Sequence, residues 1–223
     1  MISRQPQRAE NNETYALRTI LLIGRTGSGK STLANVITGT DDFKESSGSI
    51  SKTKEYEIKD YLIDGKSYRI VDTVGIRATG LTDQQVLNKL AEAADRIQFG
   101  FHQILFVVNG HFTEIEIQAY DLLREVVFDK DVVKFTSIVR TNFPDFNDYD
   151  MCMKDIKNMI EENDSLSEIV QTCKKVIYVD NLPLTGRFKE AGKAFRADSR
   201  ARILNHLKDS EQTIGEGRKG SSK

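Results

Sequence analysis

Eight consecutive residues, Gly24 to Ser31, carry the strongest chemical signal in the sequence. They spell GRTGSGKS, which satisfies the phosphate-binding pattern G-x-x-x-x-G-K-[ST] without a mismatch. Glycines let the backbone curl so that successive N–H groups point at phosphate oxygens, and a helix that begins there adds its positive dipole end. Lys30 is expected to reach the β- and γ-phosphates, and the Ser31 hydroxyl is expected to ligate magnesium. The predicted phosphate contacts are Gly24, Arg25, Thr26, Gly27, Ser28, Gly29, Lys30, Ser31 and Thr32.

A second motif follows roughly forty residues later. Asp72-Thr73-Val74-Gly75 matches the D-x-x-G that is expected where a second strand meets the γ-phosphate. Asp72 would hold magnesium through water, and the Gly75 amide would bond the γ-phosphate; a plain turn is the alternative. The next residue, Ile76, stands where Ras-like GTPases place a water-orienting glutamine, so efficient hydrolysis by that route is not expected.

Base selection is expected at the end of a later strand, where guanine binders carry N-K-x-D. The chain has Asn142-Phe143-Pro144-Asp145, which keeps the asparagine and the aspartate at their spacing. An aspartate that accepts from both N1–H and N2–H of guanine rejects adenine, and the Phe143 ring offers a surface on which a base can stack. An ordinary turn is the alternative interpretation of these residues. Asn181, after the following strand, is a second candidate to flank the base.

Two further segments are placed by their positions at the carboxyl edge of the predicted sheet. The polar stretch from Asp41 to Lys54 has the place of a switch segment that offers a hydroxyl to magnesium, from Ser51 or Thr53. The segment Asn109 to Glu114 follows another central strand, and Thr113 is expected to cap the helix after it.

The elements that position these residues alternate short β-rich runs with longer amphipathic stretches, which predicts an α/β fold in three layers. The sheet is expected to be mostly parallel, with one antiparallel edge hairpin around Asp64-Gly65. Strands are predicted over Leu17–Ile23, Glu55–Ile63, Ser67–Val71, Gln103–Val108, Lys134–Val139 and Val176–Val179. Helices are predicted over Ser31–Thr38, Asp83–Gln98, Glu114–Val127, Asp150–Glu161 and Ala197–Leu207.

Composition limits the partners and the compartment. The 223 residues include 39% apolar and 29% charged side chains, with a formal net charge of -1, which gives no electrostatic reason to propose nucleic acid or an anionic membrane. Cys152 and Cys173 form no close pair, so a cytoplasmic protein with reduced thiols is expected. No apolar run suits a signal peptide or a membrane anchor. One domain is expected over residues 17–210, between disordered tails at 1–16 and 211–223.

Taken together, GRTGSGKST, DTVG, the box from Asn109 to Phe128 and Tyr178-Val179-Asp180-Asn181 resemble the immune-associated nucleotide-binding GTPases. This family is also called the GIMAP or AIG-type G domain, of the septin-like branch. The resemblance covers about Ile20 to Leu207, and the box is its most specific part. It implies a Ras-like G domain that binds GTP and GDP with magnesium and forms GTP-dependent homodimers or oligomers across the nucleotide face.

The chain departs from the family pattern in the box, which commonly reads G-R-F-T and whose arginine is proposed to reach across a dimer. His111 takes that place here, and with Lys30 it is the candidate for a catalytic role. The function expected is a GTP-dependent switch or assembly scaffold with slow hydrolysis. A nucleotide-binding module without turnover and a P-loop ATPase or kinase remain as alternatives.

Overall fold

The computed structural model describes residues 17–45, 56–76, 82–95, 102–124 and 130–217. A six-stranded sheet has the order β2-β3-β1-β4-β5-β6, and only the β2–β3 pair within it is antiparallel. The strands are β1 (Arg18–Ile23), β2 (Glu57–Ile63), β3 (Lys66–Asp72), β4 (Gln103–Asn109), β5 (Thr136–Thr141) and β6 (Lys175–Tyr178). The helices are α1 (Lys30–Thr38), α2 (Asp83–Asp95), α3 (Glu114–Leu122), α4 (Tyr149–Glu162), α5 (Asp164–Thr172) and α6 (Lys189–Gly217).

The central strands are apolar on both faces because the sheet has a core on each side. Ile23, Phe106 and Ile138 belong to one cluster, whereas Leu22, Leu105 and Val139 belong to the other. Successive residues along each strand thus alternate between the two faces of the sheet, and each face packs against its own layer of helices. The predicted three-layer α/β fold with one antiparallel edge hairpin is confirmed.

Several elements differ from the sequence prediction. The short helix α5 was missed, although Asn163 caps it by accepting from the backbone N–H groups of Ser165 and Leu166. A 3-10 helix over Lys130–Phe135 replaces the first two residues of the predicted fifth strand. The last helix begins earlier and ends later than predicted, since α6 runs into the stretch that was expected to be a disordered tail.

Two observations concern the cysteines and the composition of the helices. Cys152 and Cys173 are both free thiols, in line with the expectation of reduced cysteines. In the part of the chain that the structure describes, no helix combines the length and the apolar composition that crossing a membrane requires.

One polar group in the core has a consequence for stability. The side chain of Ser137 on β5 accepts from the Gln103 amide at 2.9 Å and lies 2.9 Å from Nε2 of His206 on α6. His206 is 5% exposed, and burial, together with the positive charges of Lys175 and Lys174, lowers its pKa to about 4. The folded protein therefore keeps this imidazole neutral at pH values where an unfolded chain binds a proton.

We expect stability to fall as the pH falls from about 6.5 toward 4, because the unfolded state takes up the His206 proton first. Between pH 7 and pH 5 this single group accounts for about 2 kcal/mol of unfolding free energy. Urea unfolding at both pH values measures the loss, and the His206→Gln variant should show a flatter pH dependence. Equal pH dependence in variant and wild type would contradict the assignment.

Candidate nucleotide-binding site

The loop from Gly24 to Gly29 connects β1 with α1, as the motif predicted. A Cβ at Gly24 would overlap the carbonyl oxygen of Val107, and Gly27 and Gly29 have φ values of 82° and 92°, which favour glycine. Among the described residues, the backbone N–H groups of Gly27, Gly29, Lys30 and Ser31 have no hydrogen-bond partner. Consecutive unpaired N–H groups at the start of a helix form a site for an anion.

Lys30 lies beneath this loop and is 6% exposed. Its Nζ donates to the carbonyl oxygens of Gly24 at 3.0 Å and Arg25 at 3.1 Å. Burial lowers the pKa of Lys30 to about 8, and the nearby carboxylate of Asp72 opposes that shift. The ammonium group is thus held inside the loop, where the negative charge of a bound phosphate would further favour its charged form.

Ser31 and Asp72 meet at the carboxyl end of β3. The Ser31 hydroxyl donates to Oδ2 of Asp72 at 2.6 Å. Oδ1 of Asp72 is buried and has no partner among the described residues, and burial raises the pKa of this carboxyl group. A hydroxyl and a carboxylate oxygen are ligands that Mg²⁺ prefers, so the pair fits the predicted magnesium site.

Gly75 and Ile76 bring the end of β3 against the loop from Gly24 to Gly29, which is called the P-loop below. Ile76 donates its N–H to Gly24 O at 3.1 Å and accepts from the N–H of Thr26 at 3.2 Å. The side chain of Ile76 is 6% exposed and packs in the core. It is therefore directed away from solvent.

The beginning of the predicted switch segment is anchored to α1 and α6. The side chain of Asn35 bonds both backbone groups of Phe43 and donates to Glu45 at 3.0 Å. Arg196 of α6 holds the Glu45 carboxylate through two bonds of 2.8 and 3.0 Å. Residues 46–55, which include Ser51, Thr53 and Lys54, lie outside the described residues.

The base-recognition candidates follow β5 and β6, which are neighbours in the sheet. Asn142 has a φ of 56° and is exposed, as is Asp145. The Phe143 ring lies 4.7 Å from the ring of Tyr178, measured between centroids. Both amide atoms of Asn181 are buried and have no partner among the described residues. An amide in that state is costly unless a ligand or water satisfies it.

The turn between β4 and α3 also reaches the site. Asn109 donates from Nδ2 to the Gly27 carbonyl at 3.1 Å, and His111, two residues later, is exposed. Thr113 caps α3 as expected, in a capping box with Glu116.

Sequence reasoning missed several side chains that support the loop. The Thr141 hydroxyl donates to Ser28 O at 2.8 Å, and Oε1 of Glu116 lies 3.1 Å from Nε of Arg25. Asn35 is 3% exposed within an otherwise apolar helix face, a signal that was available in the sequence. The contacts of Asn109 and Glu116 had no comparable signal, because they join segments that are far apart in the chain.

The fold and the loop geometry define the class as that of the P-loop nucleotide-binding domains. Toc33 from Arabidopsis thaliana, solved with GDP and Mg²⁺, is similar in structure, with a TM-score of 0.60 and 18% identity over 83% of this chain and 82% of that one. Era from Aquifex aeolicus has a TM-score of 0.56 and 14% identity, over 81% of this chain and 56% of its own.

The chain belongs to the AIG1 family, whose model matches residues 18–194. Among curated relatives, immune-associated nucleotide-binding protein 13 of Arabidopsis thaliana is 25% identical over 93% of this chain. Immune-associated nucleotide-binding protein 12 of the same plant is 24% identical over 78% of this chain. The aligned segments span 66% and 45% of those two relatives, so the chain matches only part of their length.

A substitution at Gly75 tests the contact between β3 and the P-loop. A Cβ there would lie 2.6 Å from the backbone N and Cα of Thr26, an overlap that no side-chain rotation relieves. We expect Gly75→Ala to weaken GTP binding by about tenfold or more, because the loop must shift. Titration with a non-hydrolysable GTP analogue measures this.

The control is Gly65→Ala in the β2–β3 turn. Gly65 has a φ of 75° and open space where a Cβ would lie, so alanine there strains the backbone at the opposite end of β3 from the loop. This variant should lose stability and keep its nucleotide affinity. Equal affinity in Gly75→Ala and wild type would contradict the close packing.

Proposed function

We propose that this chain is a GTP-binding protein that acts as a nucleotide-dependent switch or assembly scaffold, with slow magnesium-dependent hydrolysis. The observation that carries the proposal is the P-loop, in which several N–H groups have no partner among the described residues and the Lys30 side chain is buried. Membership of the AIG1 family supports it. So do the relatives, which are named as nucleotide-binding proteins, and Toc33, which was solved with GDP and Mg²⁺.

The phosphate contacts are proposed for residues 24–32, with Gly75 as a further N–H donor to the γ-phosphate. Lys30 supplies a positive charge, Ser31 and a hydroxyl from Ser51 or Thr53 supply oxygen ligands for magnesium, and Asp72 holds the ion through water. When bound, magnesium would supply positive charge that offsets the negative charge developing during phosphoryl transfer. A cation beside Asp72 favours its ionised form, which offsets the cost of burying that carboxylate.

Guanine selection is proposed for Asn142, Asp145 and Asn181. Asp145 is exposed beside the carboxyl ends of β5 and β6, and the unpaired amide of Asn181 lies after β6. A carboxylate that accepts from two N–H groups of guanine finds no such pair on adenine. This difference is the reason why a GTP-binding switch is proposed rather than an ATPase or a kinase.

Hydrolysis within one molecule is expected to be slow because Ile76 is buried at the position of the water-orienting residue. The same observation favours the second candidate function, a nucleotide-binding module without turnover. Assembly across the nucleotide face would add groups from a second copy, and exposed His111 is the candidate from this chain. Dimerization is important for the GTPase activity of the chloroplast translocon components atToc33 and psToc159, which supports that idea.

The proposed compartment is the cytoplasm, where guanine nucleotides and magnesium are both abundant. A formal net charge of -1 gives no electrostatic reason to propose a nucleic-acid partner, and the protein partner is not specified by the site.

Calorimetric titration with GTP, GDP and ATP in magnesium tests the base and phosphate assignments. We expect Lys30→Ala to weaken every nucleotide by about tenfold to a hundredfold, because a charged contact to phosphate is lost. Asp145→Ala should remove the preference for guanine while it leaves ATP binding unchanged.

The control is Asp150→Ala, which removes a nearby exposed carboxylate in the first turn of α4. It should keep the guanine preference of the wild type. Binding of ATP as tight as that of GTP would refute the guanine assignment and would move the protein to the ATPase class.

Turnover measured against protein concentration separates the two GTP-binding functions. If assembly drives catalysis, the specific activity should rise with concentration, whereas a pure binding module shows no turnover at any concentration. His111→Ala should lower the rate at high concentration, and His111→Arg should raise it because arginine neutralises phosphate charge more strongly. A rate that neither substitution changes would remove His111 from catalysis.

A further inference from the structure

The box that begins at Asn109, the last residue of β4, contacts the P-loop at two places. Its sequence predicts only a capped turn. Nδ2 of Asn109 bonds the carbonyl of Gly27, and the carboxylate of Glu116 pairs with Arg25. The two contacts involve opposite ends of one short segment and two different residues of the loop. We propose that Asn109 and Glu116 are positioning residues that hold the P-loop in its anion-binding shape before a nucleotide arrives.

Gly27 shows why the loop needs such support. Its φ is 82°, and no atom lies within 4 Å of the position a Cβ would take, so side-chain packing does not fix this residue. Its N–H is one of the unpaired donors, and its carbonyl accepts from Asn109. Holding the carbonyl on one side keeps the adjoining peptide groups from rotating, and the loop's N–H groups then stay directed toward the anion.

Glu116 supports the loop through Arg25. Its side chain is 2% exposed, and its second oxygen accepts from the backbone N–H of Thr113 at 3.1 Å and from the Thr113 hydroxyl. A buried carboxylate is stable only when it is paired and hydrogen-bonded, and Arg25 supplies the opposite charge. The Arg25 side chain is 37% exposed, whereas that of Glu116 is buried. Glu116 is therefore the fixed partner, and it anchors Arg25, which belongs to the loop.

Two backbone hydrogen bonds also hold the loop, in addition to the contacts of Asn109 and Glu116. The N–H of Thr26 donates to Ile76 O, and the N–H of Ser28 donates to Arg25 O. These two amides report on the loop geometry without any nucleotide present. The inference rests on the proposed function only for the second half of its test, in which nucleotide affinity is measured.

The test uses Asn109→Ala and Glu116→Gln in the full chain, with Gln171→Ala and Glu168→Gln as matched controls. The controls remove an exposed amide from α5 and the exposed partner of Arg124. In nucleotide-free protein, hydrogen exchange at the Thr26 and Ser28 amides should become faster in the two box variants and stay unchanged in the controls. GDP and GTP should both bind about two- to tenfold more weakly, since the loss of one hydrogen bond is shared by both ligands.

Each outcome has a defined meaning. Faster exchange confined to the loop, with an unchanged melting temperature, supports positioning. Unchanged exchange and affinity in Asn109→Ala, which alters an exposed side chain, overturns the proposal even if Glu116→Gln fails to fold. Faster exchange throughout the protein overturns it as well, because the segment would then be a general support. If the wild type binds no guanine nucleotide but the loop amides still respond, the proposed function fails and the positioning role stands.

Discussion

A peptide group that turns its N–H toward a bound anion must direct its carbonyl elsewhere, and a carbonyl inside a protein needs a donor. The P-loop of this chain meets that constraint with donors from three sides. Lys30 bonds the carbonyls of Gly24 and Arg25, Asn109 bonds that of Gly27, and Thr141 bonds that of Ser28. The strand order explains how they converge, because β1 lies between β3 and β4, with β5 next to β4. The sheet thus brings together the donors that the loop carbonyls need.

Unsatisfied polar atoms are distributed unevenly over the described residues. Five of the eight buried side-chain atoms that lack a partner belong to Thr26, Ser28, Asp72 and Asn181, and the other three to Gln103, Tyr120 and Arg140. Burying such atoms costs free energy in the folded protein, which a ligand repays by bonding them. Their concentration around the P-loop and after β6 is what a site shaped for a polar, multiply charged ligand should show.

The sequence was informative where function depends on neighbours in the chain. The P-loop, the Asp64-Gly65 hairpin and the motif that ends β3 all have local signatures, because a tight turn or a phosphate-binding loop needs particular residues at fixed spacing. Contacts between distant segments left no such pattern. The pairing of Glu45 with Arg196 and of Arg25 with Glu116 depends on how helices pack on the sheet, and single charged residues in a sequence do not reveal their partners. Helix α5 was missed for a different reason, since a nine-residue helix directly after α4 looks like its continuation or its end.

The side-chain bonds of α6 connect segments of the domain that are far apart in the chain. Arg196 and Arg200 tie its first half to Glu45 and to the last turn of α1, while Lys208 ties its second half to Asp64 in the β2–β3 turn. These bonds join α6 to the hairpin and to α1, whose first residues are the proposed phosphate ligands. The helix therefore links the edge of the sheet to the layer that contains the proposed nucleotide site.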